Sequence, residues 1–98
     1  MNIIKEREGG ILRVALQGRL NTATAHQLEN EIRPILDDVT VLIWDLTELE
    51  YMSAAGLRLL RSAQKVVNRQ GKMVVVNANE TITELFEITG FTSILTLE

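Results

Sequence analysis

Along this chain, apolar residues recur first at every second position and then at every third or fourth. In "ILRVALQG", Leu12, Val14 and Leu16 alternate with Arg13, Ala15 and Gln17, the period of a half-buried strand. The weaker strand candidate "NIIKERE" precedes it, and Gly9-Gly10 between them reads as a two-residue turn, so an opening antiparallel hairpin is expected. The period changes in "NTATAHQLENEIRPILDD", where Ala25, Leu28, Ile32 and Ile35 share one helical face. Asn21 or Thr22 suits the N-cap, because a short side-chain oxygen can accept from free N–H groups of the first turn. Pro34 has no N–H to donate and should loosen the last turn.

"VTVLIWDL" is almost wholly apolar up to Asp45, the pattern of a central strand covered on both faces. Leu59, Leu60, Ala63, Val66 and Val67 then form a second helical stripe, stopped by Gly71. "KMVVVNA" reads as another buried strand. "NETITELFEITG" brings Ile82, Leu85, Phe86 and Thr89 to helical spacing before Gly90. Asn79 can cap that helix, and Thr81 with Glu84 can form a capping box. "FTSILTLE" reads as a weak last strand. The order β-β-α-β-α-β-α-β implies an α/β fold with a mixed sheet of about five strands flanked by helices.

The chain has 98 residues, 46% of them hydrophobic and 23% charged, which suits one small domain spanning 1–98. It has no cysteine, so disulfides and thiolate metal sites are excluded. "VLIW" and "MVVV" are far shorter than the roughly 20 residues that span a bilayer. No secretory n-region and h-region open the chain, so no membrane insertion and a cytoplasmic location are expected. Ten basic against thirteen acidic residues give a net charge of −3, which disfavours nucleic acid as a partner.

Candidate chemistry is sparse. His26 is the only histidine and has no obvious ligand partners. Carboxylates at Glu29, Glu31, Asp37, Asp38, Asp45, Glu48 and Glu50 are scattered. Catalytic residues, a metal and a cofactor are therefore not expected. Arg58, Arg61, Lys65 and Arg69 recur at three- and four-residue intervals, with no acid between Gly56 and Asn77. Such a stripe is either a solvated face or a docking surface for an acidic partner. Ser53 opens the same helix, either as its N-cap or as a phosphoacceptor beside the helix dipole.

"VLIWDLTELEYMSAAGLRLL" resembles the central motif of the STAS domain, found in bacterial anti-sigma factor antagonists and in the tails of sulfate transporters. That pattern is Asp-Leu-Ser/Thr, a variable stretch, an aromatic-aliphatic pair, then Asp-Ser-Ser-Gly-Leu. Asp45, Leu46 and Thr47 match its first part, and Tyr51, Met52, Gly56 and Leu57 its second. "LQGRLNTATA" resembles an earlier family element, with Gly18, Leu20, Asn21, Thr24 and Ala25 in place. "VVNANETITELFEITGFTSIL" resembles the closing strand-helix-strand.

The resemblance implies an anti-sigma factor antagonist. Its partner would be an anti-sigma factor or a serine kinase of GHKL type, and binding would free the sigma factor. In the family, phosphate on a serine at the helix start ends binding by repulsion and desolvation. Aligning Gly56 puts Ala54 at that serine, Ser53 at the preceding aspartate and Ala55 at the second serine. Ala54 cannot take phosphate, so the switch is expected to be lost or moved to Ser53. Asn21 replaces an acid of the earlier element. The docking edge implied is Asn21, Thr22, Ser53, Ala54, Ala55, Gly56, Arg58 and Arg61. The alternatives are a STAS subunit of another assembly, such as a transporter complex, and an enzyme.

Overall fold

The computed structural model describes residues 1–91 and 96–97. Strand β1 (Asn2–Glu8) turns at Gly9-Gly10 into β2 (Ile11–Leu20), and the two pair antiparallel. Helix α1 (Thr22–Ile32) runs through a 3-10 turn (Arg33–Ile35) towards β3 (Val41–Met52). Helix α2 (Ala54–Val67) leads to β4 (Lys72–Val76), and α3 (Glu80–Ile88) follows. Strands β2, β3 and β4 are parallel. Among the described residues, four strands of five residues or more build the mixed sheet, one fewer than the pattern predicts. A two-residue segment, β5 (Thr96–Leu97), pairs beside β4. The rest of the strand expected in "FTSILTLE" lies outside the described residues, apart from Phe91.

The order in the sheet is the order in the chain. Right-handed crossovers then carry every connecting helix to the same face. Leu12, Val14 and Leu16 of β2, with Leu42, Trp44 and Leu46 of β3, are buried in one cluster with Leu28, Leu60 and Phe86 of the helices. The buried Trp44 indole N–H donates to Met73 Sδ at 3.1 Å, and the Phe86 and Phe91 ring centroids lie 5.6 Å apart. On the opposite face Arg13, Ala15, Gln17, Val41, Ile43 and Asp45 are only half-buried. This corrects the expectation that β3 is covered on both faces. Its apolar run is one core row, Leu42, Trp44 and Leu46, interleaved with a second row that no crossover helix reaches.

Strand β3 also continues past Asp45, where the pattern ends it, to Met52. Ala15 pairs with Asp45, but Gln17 pairs with Glu48 and Arg19 with Tyr51, so the register slips twice. These irregularities break the period of two. The buried residues Leu46, Leu49 and Met52 fall three apart and no longer look like a strand.

The helix ends follow the expectations in part. Pro34 falls in the 3-10 turn, where the α-helical ladder has already ended. In α2, Val66 is exposed while Leu57 and Gln64 are buried, so the buried stripe is rotated from the expected one. Gly71 sits where an added Cβ would collide with the Thr40 carbonyl. The same carbonyl accepts from the Lys72 N–H at 2.9 Å, so Gly71 permits close approach to β3. The cap of α3 is Asn79, whose Oδ1 accepts from the Ile82 N–H at 2.8 Å; the box of Thr81 and Glu84 does not form the cap.

Candidate functional site

Leu20 at the end of β2 pairs with Met52 at the end of β3. The next residue on each strand, Asn21 and Ser53, is the N-cap of a helix. Parallel pairing thus brings two helix starts to one edge of the sheet, and the Ser53 N–H donates to the Leu20 carbonyl at 2.8 Å. At α1, Asn21 Oδ1 accepts from the Thr24 N–H at 3.0 Å, and Thr24 Oγ1 accepts from the Asn21 N–H at 2.8 Å. The Thr24 hydroxyl donates in turn to the Arg19 carbonyl at 2.7 Å. At α2, Ser53 Oγ accepts from the Gly56 N–H at 3.4 Å.

Ala54 is exposed, Ala55 half-buried and Gly56 buried. A Cβ on Gly56 would lie 2.7 Å from Leu20 Cγ and 3.0 Å from Met52 Cγ, so glycine lets the first turn of α2 rest on the strand ends. That turn is flanked by two hollows. One, between α1 and α2, is lined by Thr22, Ala25, His26, Ala55, Arg58 and Ser62. The other, towards α3, is lined by Tyr51, Met52, Ser53, Ala54, Ile82 and Ile88. Ile88 is 83% exposed. Asn21, Thr22, Ser53, Ala54, Ala55, Gly56 and Arg58 therefore lie on or beside one edge. Arg61 points elsewhere, with its guanidinium 5.9 Å from the Phe91 ring centroid.

The basic stripe of Arg58, Arg61, Lys65 and Arg69 is exposed. Among the described residues none of these four forms an ion pair; the pairs are Lys5–Glu31, Arg7–Asp38, Arg13–Asp45 and Arg33–Glu29. His26 is exposed on α1. Among the described residues no group of three or more His, Cys, Asp or Glu could hold a metal ion, and no helix is long and apolar enough to cross a membrane.

Two features escaped the sequence pattern. The Arg19 guanidinium stacks 4.5 Å from the Tyr51 ring centroid at the rim of the edge, an attractive cation–π geometry. Asp45 accepts from the Thr47 hydroxyl at 2.6 Å and the Thr47 N–H at 3.0 Å, and pairs with Arg13. The Thr47 hydroxyl, then its N–H, Arg13 and Asn77, hold the Asp45 carboxyl below the usual carboxylate range against the opposing effect of burial. Arg19–Tyr51 and Arg13–Asp45 each join residues far apart in sequence across the β2–β3 pairing, the first of them where the register has slipped, so only the pairing reveals them.

A model of the STAS domain matches residues 2–98, and the chain belongs to the STAS domain family. Among its relatives, BtrV of Bordetella bronchiseptica, which carries the name of an anti-sigma factor antagonist, is 36% identical over 96 residues, covering 96% of this chain and 83% of that protein. The anti-sigma-B factor antagonist of Listeria monocytogenes is 31% identical over 104 residues, covering 100% of this chain and 90% of that protein. An anti-sigma factor antagonist from Mycobacterium paratuberculosis has the same fold, with a TM-score of 0.88 at 23% identity over 98% of this chain and 83% of that one.

Proposed function

We propose that this chain is an anti-sigma factor antagonist that docks on a partner protein through the edge formed by Asn21, Thr22, Ser53, Ala54, Ala55, Gly56 and Arg58. The observation that carries the reading is the pairing of two helix starts around a bare Ala-Ala-Gly turn, with exposed Arg58 beside it, which forms no ion pair among the described residues. A first turn without large side chains lets another protein approach the backbone closely. The neighbouring cations favour an acidic partner surface. The family resemblance makes that partner an anti-sigma factor, or a serine kinase of GHKL type.

The edge works without the family's phosphate switch. Ala54, exposed at the position of the family serine, has no hydroxyl. Ser53 is half-buried and its oxygen is occupied as the cap of α2. Binding is therefore constitutive, and control falls on the abundance of the protein or on its partner. The test begins with affinity capture from the native cell and identification of the partner by mass spectrometry. Reversing charge with Arg58→Glu is then expected to weaken the measured affinity at least tenfold. An unchanged affinity would make the stripe a solvated face and remove Arg58 from the edge.

A further inference from the structure

The sheet face that no crossover helix reaches is ordered by charge as well as by hydrophobicity. Paired residues in neighbouring strands share a face, so its rows follow from the register. One row reads Glu8, Ile11, Val41, Lys72 across β1 to β4. The next reads Glu6, Arg13, Ile43, Val74, and the third Ile4, Ala15, Asp45, Val76. Ile4 and Ile11 are 42% and 46% exposed, and Val41, Ile43 and Val76 are half-buried, whereas Val74 is already buried. Neither Glu8 nor Lys72 forms an ion pair among the described residues.

The first row is self-complementary. A two-fold axis parallel to the strands reverses the order of strands and keeps the level along them. Glu8 of one copy then faces Lys72 of the other, and Ile11 faces Val41, with both contacts repeated by symmetry. Ile4 meets Val76 in the third row. Arg13 and Asp45 already neutralise each other within each copy, so they bring no unpaired charge to the centre. Two sheets packed face to face keep their strands within about 30° of each other, which this axis allows.

We infer that this face is the interface of a symmetric homodimer. The strands lie about 4.8 Å apart and rise about 3.3 Å per residue, so four strands over the five levels that all of them share give a flat footprint of roughly 320 Å² per copy. That is below the area of a stable specific interface, so the dimer inferred is a weak, reversible one. The inference is independent of the docking edge. It leaves the helix side free, and the axis turns both edges of the dimer to the same end, where one partner or two could be engaged together.

The test is sedimentation equilibrium of the full chain from about 1 to 500 μM. A monomer–dimer equilibrium is expected. Ile11→Arg, at a half-exposed position that does not hold the core, should raise the dissociation constant at least tenfold. Glu8→Lys and Lys72→Glu should each weaken dimerisation, and combining them should restore it. Thermal unfolding of each variant separates lost association from lost folding. A wild-type chain that stays monomeric throughout overturns the proposal. So does a dimer indifferent to Ile11→Arg, or a double charge swap that fails to recover what the single swaps lose.

Discussion

The two helix starts at the shared sheet edge are held by different means. That of α1 is closed by a reciprocal pair of hydrogen bonds between Asn21 and Thr24, extended to the Arg19 carbonyl. That of α2 has only one side-chain cap bond, the long one from the Gly56 N–H to Ser53, and rests also on contact between Gly56 and Leu20. Side chains lock the first start; close backbone packing seats the second. Small residues are needed for that packing, and they also leave the outer surface of the turn bare. The difference separates an edge residue that shapes the backbone from a neighbouring turn that another protein can approach.

If packing seats α2, filling Gly56 should do the most damage. Gly56→Val forces branched carbons against Leu20, which is fully buried. A cost of about 3 kcal/mol is expected from overpacking, lowering the midpoint of thermal unfolding by roughly 10 °C or more for a domain of this size. The caps should rank below it and differ from each other. Asn21→Ala should cost about 1 kcal/mol, and Ser53→Ala about half of that because its bond is long. Chemical denaturation of both variants checks the order; equal losses would erase the contrast between the two starts.

The smallest effect concerns Asp45, at the point where the strand pairing towards the edge first slips. Its folded-state carboxyl lies below the ordinary value. Its contribution to stability is therefore present above the unfolded pKa of about 3.9 and is lost as pH falls through the folded value. Asp45→Asn should be less stable than the wild type at neutral pH, and the gap in unfolding midpoint should narrow below about pH 4. A gap independent of pH would mean that Asp45 acts through shape alone.

Much of the fold was legible because period and caps agree locally. The hairpin at Gly9-Gly10, the Asn21 cap and the loosened turn at Pro34 depend on neighbours in sequence, and each is found as expected. What depends on strand order or register was hidden. The run Val41–Trp44 looks the same whether one face is covered or both, and only the sequential sheet order leaves Ile43 half-open. Leu46, Leu49 and Met52 lose strand periodicity because β3 bulges against β2. The edge was readable as a motif, but the stacking of Arg19 on Tyr51 requires that same slipped register, and the Arg13–Asp45 pair requires the β2–β3 pairing just before it. Arg61 matched the stripe by spacing, yet Phe91 draws it towards α3.

In the function proposed, the bare start of α2 docks a partner without acting as a phosphate switch. Its most direct test is to incubate the wild type and Ala54→Ser with the captured partner kinase and ATP, map phosphate by mass spectrometry, and measure binding before and after. The wild type should carry no phosphate and keep its affinity, while Ala54→Ser should gain one phosphate at residue 54 and lose binding. Stoichiometric phosphate on Ser53 of the wild type, with a loss of binding that Ser53→Ala abolishes, would contradict the account and restore the switch one residue upstream.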